Sequence, residues 1–228
     1  MTYSDYRRVA RNNLQGNWGG SILVGAVAAL LGGMMIGSSF IPEFHFRLEG
    51  QDISSITDLL NLLTASGRAS AFGLGSLLAL AQFIVGGVIQ LGYAQYLLKQ
   101  YNRANFTIQD LFSQFDRFGQ GFAQHFLRGL YIALWSLLLI IPGIVKGYAY
   151  AMTPFIMAEN PDLSANDAIT ASRELMDGHK WELFILDLTF IGWGILAALT
   201  LNLGHLALNP YKNAAYAAFY KDITTPKV

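Results

Sequence analysis

The sequence predicts an all-α fold, a polytopic membrane helix bundle with short interfacial amphipathic helices. Three observations lead to it. Only 13% of the 228 residues are charged and 53% are hydrophobic, with a mean hydropathy of +0.36. Soluble domains carry about 25% charged residues. Several apolar runs reach the roughly 20 residues that cross a bilayer core, and most basic residues lie outside those runs.

The apolar runs divide one integral membrane domain, residues 1–228, into spans. The predicted spans are 18–41, 71–98, 122–141, 144–159 and 183–208. The first is longer than the core of a signal peptide, so we expect an uncleaved first transmembrane helix. Residues 1–17 are predicted to form a cytoplasmic interfacial helix, and residues 209–228 a C-terminal tail.

The third apolar stretch, 122–158, is interrupted at Pro142 and Gly143. As one helix it would be roughly 55 Å long, too long for a single crossing. Proline disfavours helix at the residue before it, and glycine tolerates turn geometry. We therefore expect a helix break at Pro142 and Gly143, with a short helix on each side.

The basic residues indicate the orientation. Arg7, Arg8 and Arg11 favour a cytoplasmic N-terminus, because lysine and arginine collect on the inner side of membrane proteins. Six crossings place 12 of the 15 basic residues inside, whereas five or four crossings distribute them more evenly. Loop 42–70 is then external. The sequence predicts five or six crossings.

Three segments carry the same helix-start signature, in which an aspartate follows a hydroxyl residue after three positions. The hydroxyl residues are Ser55, Thr107 and Ser164. An amphipathic pattern follows each; after Thr107 the apolar face comprises Ile108, Leu111, Phe112, Phe115 and Phe118. These segments are interpreted either as helices at the membrane surface or as a docking surface for a protein partner.

Small residues in the first span predict close helix packing. Gly25, Ala29, Gly33 and Gly37 recur at four-residue spacing and stack on one face. The partner is either the second span, with Gly86 and Gly87, or a second copy of the chain.

Polar residues within the apolar runs form a candidate intramembrane polar site, because ionisable groups at bilayer depth are costly unless paired. The candidates are Asp187, Lys146, Gln82, Gln90 and His205. Asp187 is expected to pair with Lys146 or Lys180, or to line a hydrated cavity. Gln82 and Gln90 either face that cavity or form interhelical hydrogen bonds. Arg128 and Lys146 lie near predicted helix ends and are assigned a topological role.

Several chemistries are excluded or disfavoured. The chain has no cysteine, and its 15 basic residues balance 15 acidic ones, which disfavours nucleic-acid partners. No zinc-binding pair of histidines, phosphate-binding loop or dinucleotide fingerprint is present in the sequence. The pair Ser76 and His205 lacks the pattern of an intramembrane serine protease. The sequence therefore predicts no catalytic residue, metal or cofactor, and the lipid bilayer as the main partner.

An ordered series of motifs in the second half resembles a known family. The motifs occupy residues 139–150, 160–162, 167–169, 172–178, 190–193, 209–211 and 218–220. With the opening segment from Arg8 to Trp18, they are similar to the bacterial integral-membrane family known as domain of unknown function 975. The resemblance implies a multi-pass protein of the bacterial plasma membrane. It implies no activity, substrate or catalytic residue.

Two functions follow from these features. The first is a non-enzymatic structural, regulatory or assembly role, with a protein partner or a homo-oligomer. The alternative is a small transporter or channel that uses the broken helix at Pro142 and Gly143 together with intramembrane Asp187, since discontinuous helices expose backbone groups that bind ions.

Overall fold

The computed structural model describes residues 2–32, 74–200 and 203–225, and within them every regular element is helical. The predicted all-α class is therefore confirmed. In chain order the α-helices are α1 Tyr3–Leu14, α2 Trp18–Leu30, α3 Leu74–Tyr101, α4 Phe118–Leu138, α5 Ile140–Ala149, α6 Thr153–Glu159, α7 Ala165–Leu175, α8 Lys180–Leu199 and α9 Gly204–Thr224. Two 3-10 turns, Ile108–Phe112 and Phe115–Arg117, lie between α3 and α4.

Six helical segments, which we call legs, form a closed ring in which each leg contacts the next. In order around the ring they are α2, α3, α4, α5 together with α6, α8 and α9, and α9 contacts α2. Helix α1 packs on α9, the 3-10 turns on α3, and α7 on α4 and α6. We call the half of the ring that these elements cover the capped half, and the other half the open half. The Tyr6 hydroxyl donates to Asp222 and the Tyr220 hydroxyl to Glu159, so both ends of the described chain lie in the capped half.

Local signals explain the helix starts. The Asp110 carboxylate accepts a hydrogen bond from the Thr107 backbone N–H at 2.8 Å, and the Ser164 hydroxyl accepts from the Asp167 N–H at 3.2 Å. The segment after Thr107 is a 3-10 turn instead of the expected amphipathic α-helix. The signature at Ser55 lies outside the described residues.

The first span is not one helix from 18 to 41. Helix α2 ends at Leu30, and Gly32 adopts a φ of +78°, the left-handed conformation with which glycine commonly ends helices. The rest of that span, with Gly33 and Gly37, lies outside the described residues. Gly25 faces Tyr93 of α3 and Pro210 of α9, while Ala29 is half-buried.

Glycines of α3 permit close approach of its neighbours. A Cβ on Gly86 would collide with the backbone of Gly32, and one on Gly87 would collide with the backbone of Gly121 on α4. Gly86 and Gly87 thus face two different legs, so the second span packs against both α2 and α4.

The break in the third stretch lies earlier than predicted. Helix α4 ends at Leu138, Leu139 is extended, and Pro142 falls in the first turn of α5. Proline is tolerated there because the first N–H groups of a helix have no intrahelical partner. Gly143 allows α5 to pack closely against α4, since a Cβ at this position would collide with Ser136. The predicted helix 144–159 is two helices, because α5 ends at Ala149 and α6 begins at Thr153, with Pro154 in its first turn.

The predicted C-terminal tail is instead a buried helix. Helix α8 ends at Leu199 and the chain folds back into α9, which continues through Pro210 to Thr224. Nearly every residue of α9 from Pro210 to Tyr220 is buried. Polar residues near Pro210 make this segment resemble a tail in the sequence. In the structure its small alanines give the helix a well-packed surface.

One helix in the described part of the chain, Lys180–Leu199, is long and apolar enough to cross a membrane; Trp18–Leu30 is a shorter apolar helix.

Candidate functional site

Asp187, on α8, is the centre of a buried charged cluster. Its side chain is 2% exposed. One carboxylate oxygen accepts from the Tyr216 hydroxyl at 2.5 Å and lies 3.1 Å from the Lys212 Nζ. The other oxygen accepts from the Tyr148 hydroxyl at 2.9 Å. We call Asp187, Lys212, Tyr148 and Tyr216 the Asp187 cluster.

Three legs supply the Asp187 cluster. Lys212 and Tyr216 lie one helical turn apart on α9 and therefore project to the same side. Tyr148 comes from the end of α5. The Lys212 ammonium, whose side chain is 12% exposed, also lies 5.8 Å from the centre of the Tyr216 ring. The cluster thus ties α5, α8 and α9 together.

The chemistry of the Asp187 cluster is that of a satisfied ion pair. Three donors surround the two oxygens, one of them an ammonium that balances the negative charge. Buried charges are tolerated when they are paired and hydrogen-bonded in this way. The carboxylate faces protein groups, an arrangement suited to holding helices in register.

The other predicted polar residues lie apart from Asp187. The Gln82 side chain donates to the Leu30 carbonyl of α2 at 2.8 Å. Gln90 accepts from Gln124 and Arg128 of α4 at 3.2 and 2.9 Å. Both glutamines therefore form interhelical hydrogen bonds. Of the two alternatives for these glutamines, the structure shows interhelical hydrogen bonds and not a shared cavity with Asp187.

The expected partners of Asp187 also lie elsewhere. The Lys146 ammonium lies 4.6 Å from the centre of the Trp135 ring, and Lys180 pairs with Asp177 at 3.1 Å. Lys212 is the partner instead, because the region assigned to a tail is a helix of the ring. His205 is half-buried on α9, and its Nδ1 has no hydrogen-bond partner in the described structure.

Arg128 is a residue whose position the sequence did not indicate. The predicted span 122–141 places it near a helix end, but α4 begins at Phe118, so Arg128 lies in mid-helix, and it is 0% exposed. One Nη donates to Gln90, whereas the Nε and the other Nη have no hydrogen-bond partner among the described residues. No carboxylate in the described chain pairs with Arg128. The sequence signal that could have identified it is a charge between apolar neighbours.

The described residues contain no group of three histidine, cysteine, aspartate or glutamate side chains able to hold a metal ion.

Exposed apolar side chains surround the open half. We call this surface the apolar belt; its members are Leu30, Leu80, Phe83, Ile84, Leu134, Trp135, Leu137, Leu139, Ile141, Ile144, Val145, Trp193, Ile195, Leu196, Leu199, Leu203 and Leu206. The charged residues nearest to it are mostly turned inward. Arg128 and Asp187 are buried, Lys212 nearly so, and Lys146 lies at the edge of the belt over Trp135.

The fold and the site define a class, an all-α ring of helices with a charged core cluster and an apolar outer belt. A family model described as "Protein of unknown function (DUF975)" matches residues 137–227. The predicted resemblance is confirmed over that range, which contains all of the motifs of the second half. The opening segment from Arg8 to Trp18 lies outside the match. Neither the curated proteins nor the solved structures yield a match to this chain.

Proposed function

We propose that this chain is a multi-pass protein of the bacterial plasma membrane, with a cytoplasmic N-terminus and a non-enzymatic structural, regulatory or assembly role. The main observation that supports this proposal is the apolar belt. In water, an exposed apolar surface of that extent promotes aggregation, whereas in a bilayer it is the favourable surface.

The placement of charge supports a membrane location. Water-soluble domains expose their charged side chains and bury apolar ones. In the ring this pattern is inverted, since Leu137 of the apolar belt is 84% exposed while the charged Asp187 is buried. Polar residues inside membrane bundles face the interior and pair with one another, as Asp187 and Lys212 do.

The non-enzymatic role rests on the closed geometry of the Asp187 cluster. A catalytic carboxylate needs access to a reacting group. Asp187 instead faces three protein donors from α5 and α9, in the interior of the ring. That arrangement favours a structural use of its charge.

The alternative is a small transporter or channel. It requires Asp187, Lys146, Gln82 and Gln90 to line one hydrated path, yet each has a different protein contact. The helix break at Leu139 lies on the exposed surface, where the residue is 67% exposed. A buried Arg128 without a carboxylate partner among the described residues is an observation that favours transport, because intramembrane charges commonly mark ion paths.

Membrane fractionation tests the proposal. After an alkaline carbonate wash of cell membranes, the chain is expected in the pellet and soluble only in detergent. Recovery in the supernatant would overturn the membrane assignment.

Cysteine labelling tests the orientation, and the cysteine-free sequence provides a clean background. In intact cells an impermeant maleimide is expected to label Gln51→Cys, in the predicted external loop. Asn105→Cys is expected to react only after permeabilisation. The reverse result would contradict a cytoplasmic N-terminus and the predicted loop assignment.

A further inference from the structure

A cavity of about 310 Å³ lies between α5, α7 and the start of α8. Its lining includes Val145, Lys146, Arg173, Glu174, Asp177 and Lys180. We call it the basic pocket. It is separate from the Asp187 cluster, and neither the sequence motifs nor the family match assigns it a role.

We propose that the basic pocket binds the phosphate headgroup of an anionic phospholipid from the inner leaflet. This inference rests on the proposed membrane location. Three cationic side chains from three different elements converge there against two carboxylates, which leaves an excess of positive charge.

Arg173 is the best-placed phosphate ligand. It is exposed on α7 and makes no hydrogen bond or ion pair with the described residues. A guanidinium offers parallel N–H donors that match phosphate oxygens in a bidentate fashion. Lys146 is available as a second ligand, since its ammonium lies over the face of Trp135 and forms no ion pair among the described residues.

The remaining charges of the basic pocket are partly neutralised. Lys180 pairs with Asp177, and this hydrogen bond lowers the pKa of that carboxyl below its ordinary value. Lys180 is also the first residue of α8, a helix of 20 residues. The positive end of the α8 dipole therefore adds to the attraction for an anion.

Apolar surface beside the basic pocket provides a place for acyl chains. Val145 lines the cavity, and Ile141, one turn earlier on the same face of α5, is exposed. Trp181 follows Lys180 and is 67% exposed. A headgroup in the pocket would thus leave its chains along the apolar belt, as expected for basic pockets on the cytoplasmic side of membrane proteins.

Free phosphate offers the same chemistry from another source, so the experiment compares lipids with a water-soluble phosphate ester. The full chain in neutral detergent is titrated with phosphatidylglycerol, with phosphatidylcholine, and with glycerol 3-phosphate, and bound ligands are counted by native mass spectrometry. We expect phosphatidylglycerol to bind at least tenfold more tightly than phosphatidylcholine.

The variant Lys146→Gln/Arg173→Gln is expected to lose this tenfold preference. Arg8→Gln/Arg11→Gln is the matched control, because it removes the same charge from exposed residues of α1. The control is expected to bind as the wild type does. Unchanged melting temperatures in phosphatidylcholine establish that both variants are folded.

Three outcomes overturn the inference. One is equal affinity for the two lipids. A second is an equal loss of binding in the pocket variant and the control, which would indicate non-specific attraction. The third is saturation by glycerol 3-phosphate without a preference for phosphatidylglycerol. Because fractionation tests the membrane location independently, a chain that stays in the membrane pellet but shows no lipid preference overturns only this inference.

Discussion

At the scale of single residues, Asp187 illustrates how a charge is kept inside an apolar ring. Its carboxylate is separated from solvent but has an ammonium and two phenol hydroxyls as partners. Removing one member of a buried pair costs more than the pair contributes, because the other charge stays buried.

Asp187→Asn is therefore expected to destabilise the protein by about 3 kcal/mol. The substitution keeps the shape of the side chain and removes the negative charge that faces the Lys212 ammonium. Unfolding in mixed detergent micelles measures the change. Replacing Lys212 by Met in the same chain should restore most of the loss, since the double variant buries neither charge of the pair.

The exposed pair of Asp177 and Lys180 supplies the control. Their side chains are 84% and 30% exposed, so Asp177→Asn should leave the unfolding midpoint unchanged. Equal destabilisation by the two aspartate substitutions would show that burial of Asp187 has no energetic consequence.

Substitution of Arg128 is expected to change the stability of the protein in the opposite direction. Its guanidinium is buried with two nitrogen groups lacking partners among the described residues. Arg128→Met should therefore preserve or raise the melting temperature. Arg117→Met should lower it, because Arg117 donates to Gln114, Gln120 and the Met157 carbonyl. A fall in the Arg128 variant as large as that in the Arg117 variant would contradict this reading of the site.

Sequence reasoning could single out Asp187 but not its partner. A carboxylate within an apolar run can be recognised from the sequence alone. Lys212 lies beyond Pro210 in a region of mixed polarity, and its contact with Asp187 depends on the chain folding back after Leu199. A span that starts at residue 122 places Arg128 near a helix end, whereas α4 begins at Phe118 and places it in mid-helix.

At the scale of helices, α3 shows how glycines set the packing of the ring. Gly87→Ala would place a methyl group against the Gly121 carbonyl and within 2.8 Å of the His125 Cβ. Overpacking of this kind costs about 1–3 kcal/mol. Unfolding in detergent is expected to show that loss.

Gly129→Ala on α4 is the matched control, since a Cβ there would meet no atom within 4 Å. It should preserve stability or raise it by about 1 kcal/mol, because alanine favours a helix interior more than glycine does. If the Gly87 variant is as stable as the Gly129 variant, the close approach of α3 and α4 is not as the structure has it.

The helix starts at Trp18 and after Ser164 were predictable, whereas the 3-10 turn after Thr107 and several helix ends were not. The caps at Thr107 and Ser164 are local signals that can be recognised directly in the sequence. The end of α2 depends on Gly32 meeting α3, and the position of Pro142 depends on the packing of Gly143 against Ser136. Such ends are set by tertiary contacts, which single-sequence patterns do not contain.

At the scale of the whole molecule, the surfaces of the two halves of the ring differ. The open half exposes the apolar belt, whereas the capped half carries surface ion pairs such as that between Asp5 and Arg8. The exposed Ile108, Phe112 and Phe115 of the 3-10 turns are an apolar exception in the capped half. The charge deficit in the sequence predicted the apolar surface of the open half. The closure of the ring by α9 was not predictable, because it unites segments far apart in the chain.

The central claim is that lipid surrounds the apolar belt. Spin labels on single cysteines test it most directly, at Leu137 and Leu196 in the belt and at Asn105 and Thr225 in the capped half, with the protein in lipid vesicles. We predict that the belt labels collide with oxygen and are shielded from a water-soluble nickel chelate, and that the capped-half labels show the reverse. Equal access of the nickel chelate to all four positions would contradict the account.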